Sequence, residues 1–266
     1  MDLQLTEKRA FISGSTSGIG EATARLLAAE GAAVIVHGRR EAEAVRIAEE
    51  ISQTGGTATV VIDDLSDAHI AKMVSQKALA SFSGVDILVN NVGLYPHKPW
   101  FDTPDTEWLG LYNSNVGSAI RLIHDLAPQM KEQHWGRVIT IANGVATTPI
   151  PFVASYAASK AALLNMAINL SKELSGLGVT SNAISPGPIR TPGTETMFRE
   201  LAVRQGIPDD WAQIEAFIVE HVAPTPVGRL GQAQDIACMV AFLASPCADF
   251  ISGTNMRVDG GAVGIV

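Results

Sequence analysis

The chain alternates short apolar runs with longer stretches in which apolar residues recur every three or four positions. The short runs are typical of buried strands, and the longer stretches are typical of helices that cover a sheet. The runs are apolar throughout rather than alternately apolar and polar, as expected of strands that are buried on both faces. Regular alternation of strand and helix predicts a parallel sheet with helices on both sides.

The predicted strands span residues 9–13, 33–37, 57–62, 86–90, 138–142, 179–185 and 255–258. The predicted helices span residues 18–31, 41–54, 68–82, 106–133, 156–177 and 232–244. This order predicts a single α/β domain over residues 1–266, with a doubly wound, seven-stranded parallel sheet. One proline-rich segment, about residues 191–226, interrupts the alternation and contains a helical-looking piece at 211–221. We expect this segment to form a substrate lid.

Composition narrows the classes of function. The 266 residues are 47% hydrophobic and 17% charged, which suits a large core. The net charge of −8 argues against a nucleic-acid partner. No apolar run reaches signal-peptide or membrane-span length, so we expect no membrane association. The two cysteines and six histidines show no metal-ligand spacing, which predicts no metal and a cytoplasmic location.

A glycine-rich turn follows the first predicted strand and opens the first helix. It reads Ser13-Gly14-Ser15-Thr16-Ser17-Gly18-Ile19-Gly20. Glycines let the backbone approach a pyrophosphate, and the helix N-terminus offers unpaired N–H groups and a positive dipole end. The turn therefore predicts a dinucleotide site, and the alternative is an ordinary strand-to-helix turn.

The turn resembles the T-G-x-x-x-G-x-G fingerprint of the short-chain dehydrogenase/reductase family, with Ser13 in place of threonine. The similarity extends over about residues 5–261 through a series of ordered motifs: Asp64-Leu65, Asn90-Asn91-Val92-Gly93, Asn115, Tyr156-x-x-x-Lys160, Pro186-Gly187 and Val258-Asp259-Gly260-Gly261. The resemblance implies a Rossmann fold, a nicotinamide cofactor and a small-molecule carbonyl or alcohol substrate. It also implies a homo-oligomer, with a tetramer expected, that pairs through the long helices 106–133 and 156–177.

The resemblance also assigns cofactor-binding positions. They are Gly14, Ser15, Ser17, Gly18, Ile19, Gly20, Asp64, Leu65, Asn91, Gly93, Tyr156, Lys160, Pro186, Gly187, Ile189 and Thr191. Among them, Asp64 is expected to face the adenine, and Asn91 and Gly93 are expected to line the cofactor channel.

The end of the second strand bears on the choice of cofactor. NAD enzymes of this fold place a carboxylate there to bind the ribose 2′-hydroxyl. Here Gly38 takes that place and is followed by Arg39 and Arg40. Guanidinium groups bind a 2′-phosphate through charge-assisted hydrogen bonds, so the sequence predicts NADP(H). The alternative is a solvated charge pair, although arginine is poorly placed at a helix N-terminus without an anion nearby.

Tyr156 and Lys160 are four residues apart on a predicted helix and therefore share one face. A nearby ammonium is expected to lower the tyrosine pKa from about 10, which would suit general acid–base catalysis. The resemblance implies that Lys160 also binds the nicotinamide ribose and that Asn115 holds a water for proton relay. The alternatives are a surface pair for the first two residues and a backbone-bonding role for Asn115.

One position departs from the family. The family places a serine thirteen residues before the tyrosine, and this chain has Asn143 there. An asparagine N–H can stabilise a developing alkoxide but cannot relay a proton as a hydroxyl does. The alternative is a plain Asn-Gly turn.

Three functional hypotheses follow. The first is an NADP(H)-dependent ketone reductase, with 3-oxoacyl thioesters as the substrate class that the resemblance suggests. The second is an NADP-binding sensor or scaffold with little turnover, which Asn143 motivates. The third is an NAD-dependent sugar or steroid alcohol dehydrogenase, which Arg39 and Arg40 oppose.

Overall fold

The computed structural model describes residues 1–264, and its centre is a seven-stranded parallel sheet. The strands of this sheet are β1 (Arg9–Ile12), β2 (Ala33–Gly38), β3 (Thr57–Ile62), β4 (Ile87–Asn90), β5 (Gly136–Ile141), β6 (Val179–Pro186) and β9 (Asn255–Val258). Two short strands, β7 (Ile189–Arg190) and β8 (Gly231–Gln232), pair separately. The strand order is β3-β2-β1-β4-β5-β6-β9, which confirms the predicted doubly wound α/β fold.

Helices cover both faces of the sheet. They are α1 (Gly18–Ala29), α2 (Glu41–Gln53), α3 (Ala68–Ser81), α4 (Asp105–Tyr112), α5 (Ser118–Glu132), α6 (Ala154–Glu173), α7 (Pro192–Arg204), α8 (Trp211–Phe217) and α9 (Ala233–Ala244). One apolar core packs α1, α2 and α9 on the sheet, and a second packs α3 and α5 on the opposite face. The strand order reverses between β1 and β4, which is where ligands bind in such sheets. Within residues 1–264, no helix is long and apolar enough to cross a membrane.

The predicted helix 106–133 contains a break in its hydrogen-bonding pattern. A π-helical turn, Asn113–Gly117, joins α4 to α5. The wider turn brings the Asn115 side chain inwards, where Oδ1 accepts a hydrogen bond from the Leu94 N–H at 2.8 Å. The periodicity of apolar residues did not predict this turn, because a bond to a residue 21 positions away favours it.

The segment 191–226 is more regular than its prolines suggested. Sequence reasoning missed α7, which begins with a capping box between Thr191 and Thr194 and has Pro192 in its first turn. Proline fits there because the first-turn N–H groups have no helical partner. A small apolar core then packs α7 against α8.

Candidate functional site

The glycine-rich loop lies at the carboxyl end of β1, beside the point where the strand order reverses. Gly14 and Gly18 have φ angles of 66° and 57°, a backbone region that favours glycine. A Cβ at Gly20 would collide with the Gly14 carbonyl oxygen. The Ser17 side chain makes no capping hydrogen bond to α1, so the first-turn N–H groups are left for an anion.

The serine that replaces the family threonine ties this loop to the end of β4. Ser13 Oγ accepts hydrogen bonds from the Asn91 N–H at 2.9 Å and the Val92 N–H at 3.2 Å. In return, Asn91 Nδ2 donates to the Ser13 and Gly14 carbonyl oxygens at 2.9 and 3.0 Å. These contacts need only a hydroxyl group, which serine and the family threonine both carry. The Asn91 side chain in turn stabilises the glycine-rich loop.

Two expected cofactor-binding side chains point away from the loop surface. Ser15 is fully buried, and its hydroxyl donates to the Ile12 carbonyl at 2.8 Å, beneath the loop. Leu65 belongs to the core on the α3 side of the sheet. The side chains of these two residues are therefore packed inside the protein, whereas Ser17 and Ile19 are partly exposed.

The two arginines after β2 make different contacts. Arg39 is 64% exposed and forms an ion pair with Asp64 at 3.2 Å. Arg40 Nη2 donates to the Thr16 carbonyl at 3.0 Å and to the Thr16 hydroxyl at 3.2 Å. A Cβ at Gly38 would stand 2.5 Å from Thr16 Cγ2, so a carboxylate side chain does not fit at that position without rearrangement. This geometry suits a 2′-phosphate better than a free 2′-hydroxyl.

The segment that follows β6 reaches the glycine-rich loop. The Gly187 N–H donates to the Val258 carbonyl at 3.1 Å, and a Cβ at Gly187 would lie 2.7 Å from the Asp259 Cα. Thr191 follows Pro186 and the buried Ile189 along the chain and lies against the glycine-rich loop. A Cβ added at Gly18 would be 3.3 Å from the Thr191 methyl group. The motifs assigned by resemblance therefore converge on one edge of the sheet.

Tyr156 and Lys160 lie on one buried face of α6, with exposures of 7% and 3%. Lys160 Nζ is 5.6 Å from the centroid of the Tyr156 ring and donates to the Ile141 carbonyl at 2.7 Å. A Cβ at Gly93 would be 3.1 Å from the same Nζ, so this glycine keeps the space beside the ammonium open. The predicted pair is thus assembled at the carboxyl ends of β4 and β5.

The electrostatics of this pair overturn one expectation. Burial raises the pKa of Tyr156, the neighbouring Tyr95 raises it further, and a hydrogen bond with Asn143 lowers it. Burial also lowers the pKa of Lys160 to about 8. The prediction of a Tyr156 pKa below its ordinary value is therefore wrong for the chain alone, because desolvation by burial disfavours the charged phenolate. Tyr156 is a neutral phenol at neutral pH, which is the form that donates a proton.

Asn143 follows β5 and serves two purposes. Its Oδ1 accepts a hydrogen bond from the Val145 N–H at 3.0 Å and so caps the short turn Gly144–Ala146. The Asn143 side chain also acts on Tyr156, whose pKa it lowers. Because Oδ1 is held by the turn, the N–H₂ end is the donor that this amide can offer to the site. The contact with Val145 confirms the turn interpretation, and the role of Asn143 as a donor to the substrate oxygen stays a prediction.

Asn115 is buried and tightly bonded. Its Nδ2 donates to the Leu94 carbonyl and to Ser159 Oγ, both at 3.1 Å. Both amide hydrogens are therefore engaged, and the side chain orders the loop after β4 against α6. The expected role of Asn115 in holding a water for proton relay stays a prediction.

Sequence reasoning missed two residues near the site. Tyr95 packs edge-on against Tyr156, with ring centroids 4.7 Å apart and planes at 84°. Its position two residues after Gly93, at the sheet edge, was the available signal. His37 is buried beneath the glycine-rich loop, and only its place at the end of β2 hinted at this. Among residues 1–264, no group of three or more His, Cys, Asp or Glu side chains could hold a metal ion.

Comparisons with known proteins agree with this geometry. Residues 14–263 match the family described as Enoyl-(Acyl carrier protein) reductase. The uncharacterized oxidoreductase YvrD of Bacillus subtilis is 37% identical over 264 residues, which are 99% of each chain. The 3-oxoacyl-[acyl-carrier-protein] reductase FabG of Escherichia coli is 35% identical over 254 residues, 96% of each chain.

A solved structure is also similar over the whole chain. The L-sorbose reductase of Gluconobacter frateurii, in complex with NADPH and L-sorbose, has a TM-score of 0.94 and 30% identity, with 100% of both chains covered. The NADPH in that structure supports the cofactor predicted from Arg39 and Arg40. Given the glycine-rich loop, the buried Tyr156–Lys160 pair and these matches over nearly its full length, the chain belongs to the short-chain dehydrogenase/reductase family of oxidoreductases.

Proposed function

We propose that this protein is an NADP(H)-dependent oxidoreductase that reduces a ketone to a secondary alcohol, or catalyses the reverse reaction. The observation that carries the proposal is the Tyr156–Lys160 pair, which is buried on one face of α6, with the Asn143 side chain close enough to lower the Tyr156 pKa. This arrangement supplies a proton donor and a hydrogen-bond donor at one point, as the reduction of a carbonyl requires.

The residues at the sheet edge fit the cofactor. The uncapped start of α1 and the glycine cradle would hold the pyrophosphate, and Arg39 would hold the 2′-phosphate. Lys160 would hold the nicotinamide ribose beside Gly93. When bound, NADPH supplies the hydride, and the reaction needs no metal for that step.

The chain's own groups handle the proton. Asn143 donates a hydrogen bond to the substrate oxygen and orients it toward the Tyr156 hydroxyl. Tyr156 gives its proton to that oxygen as negative charge develops on it. The Lys160 ammonium stabilises the phenolate that remains, and in the reverse direction the phenolate accepts the alcohol proton.

Two substrate classes are supported by named relatives. FabG acts on 3-oxoacyl thioesters attached to a carrier protein, and the Gluconobacter enzyme acts on L-sorbose, a ketose. We propose the 3-oxoacyl thioester first, and the ketose is the alternative that the similarity of the fold favours. The alternative of an NADP-binding sensor or scaffold with little turnover rests on Asn143, which replaces the family serine.

The test is NADPH oxidation over a panel that contains a 3-oxoacyl thioester, a ketose and a simple ketone. Tyr156→Phe should lower kcat by about 10³-fold on any accepted substrate, because it removes the proton donor. NADPH affinity, measured by titration, should remain close to that of the wild type.

Tyr112→Phe is the matched control, since this tyrosine is exposed on α4 and lies outside the site. It should leave kcat unchanged. NADPH binding without turnover on any member of the panel would favour the sensor alternative, and a preference for NADH would favour the third hypothesis.

A further inference from the structure

The end of β2 lies directly beneath the glycine-rich loop and is bonded to it through His37. This histidine is buried, and its Nδ1 accepts a hydrogen bond from the Gly14 N–H at 3.3 Å. Its backbone N–H donates to Ser15 Oγ at 2.9 Å, and its carbonyl accepts from the Ser15 N–H at 2.7 Å. One residue therefore holds two successive residues of the loop.

The contact with Gly14 requires a neutral imidazole, because a protonated ring has no acceptor. Burial lowers the pKa of His37 to about 4. The charged groups near the ring are Asp63 and Asp64, at the end of β3. Their charges raise the His37 pKa, but by less than burial lowers it. On the β1 side the ring meets Phe11, 5.3 Å away, which is apolar. The ring is therefore neutral at physiological pH, and the Gly14 N–H selects the tautomer in which Nδ1 is the acceptor.

We propose that His37 is a positioning residue for the cofactor pyrophosphate, acting through the Gly14 amide. The proposal rests on the proposed function, in which the loop binds a dinucleotide. Gly14 has a φ of 66° and no side chain, so its amide has wide conformational freedom unless a partner restrains it. With the acceptor in place, the loop is ordered before the cofactor arrives. Without it, ordering the loop costs part of the binding free energy.

This role differs from that of Arg39 in a measurable way. NADPH and NADH share the pyrophosphate and differ at the 2′-phosphate. Loss of the His37 acceptor should therefore weaken both cofactors by the same factor, whereas loss of the exposed Arg39 guanidinium should weaken NADPH alone.

The experiment compares His37→Asn with His37→Leu. Asparagine carries Oδ1 where histidine carries Nδ1, and leucine carries a methyl group there. His37→Leu should raise the Kd of NADPH and of NADH about tenfold, the scale of one lost hydrogen bond, with kcat at saturating cofactor nearly unchanged. His37→Asn should restore the affinity of the wild type for both cofactors.

His69→Leu, an exposed histidine on α3, controls for the substitution itself, and Arg39→Ala provides the contrasting pattern. If His37→Leu does not fold, His37→Gln replaces it, because the glutamine acceptor lies one carbon further out and should weaken both cofactors. Wild-type affinity in a folded His37→Leu, or equal losses in the Asn and Leu variants, overturns the proposal. A wild type that binds neither dinucleotide overturns the proposed function as well, so the two failures are distinguishable.

Discussion

Asn143 is the residue at which this chain departs most clearly from its family. The turn contact with the Val145 N–H holds Oδ1, so the N–H₂ group is the end of the amide that can donate a hydrogen bond within the site. A serine hydroxyl could donate and accept at the same point, whereas this amide can only donate. We therefore expect Asn143 to stabilise negative charge on a substrate oxygen.

Asn143→Ala should lower kcat by about 10²-fold, at the lower end for a lost donor to a developing oxyanion. NADPH affinity should hardly change, because the residue lies at the carbonyl end of the site. Asn143→Ser should keep or raise activity on simple ketones. Steady-state kinetics on one accepted substrate, with NADPH titrations alongside, measures all three. Full turnover by Asn143→Ala would show that Asn143 is only a turn residue.

At the scale of elements, α7 and α8 form a unit that begins at the cofactor loop. Thr191 caps α7 and contacts Gly18. The Arg190 guanidinium lies 4.0 Å from the Trp211 ring centroid, which links the start of α7 to the start of α8. If a bound cofactor fixes Thr191, we therefore expect both helices to become more ordered, as a lid requires.

The connection between these helices, residues 205–210, is mostly exposed and should be the main site of proteolytic cleavage. Addition of NADPH should slow cleavage there several-fold, because the cofactor orders Thr191 and the segment that follows it. Trp211→Ala should reduce this protection, since it removes the contact with Arg190. Fragment mapping by mass spectrometry is the measurement, with cleavage at the exposed turn 53–55 as an internal control. Equal cleavage at 205–210 with and without NADPH would count against a lid.

At the scale of the whole molecule, large apolar side chains are exposed on and beside α4. Phe101 is 97% exposed, its chain neighbour Trp100 is 60% exposed, and Leu109 is 68% exposed. Large exposed apolar side chains within one short stretch of the chain favour burial against another protein. We propose that a second copy covers it, in a homo-oligomer that pairs through the α4–α5 and α6 helices.

Light scattering at micromolar concentration should show a tetramer, and Leu109→Glu should reduce the assembled mass by placing a charge in the interface. Val203→Glu is the matched control, because Val203 is equally exposed but lies on α7. It should leave the assembly intact. A wild type that scatters only as a monomer would refute the proposed assembly.

The sequence by itself determined the seven strands of the main sheet, the glycine-rich loop and the Tyr156–Lys160 pair, because these depend on local periodicity and short spacings. The tertiary structure decided what depends on burial and on contacts between distant segments. In the folded chain Arg40 hydrogen-bonds to Thr16, and Arg39 forms an ion pair with Asp64. Asn115 hydrogen-bonds to Leu94. The tertiary structure also reversed the direction of the Tyr156 pKa shift, since desolvation in the folded core has no counterpart in a linear pattern.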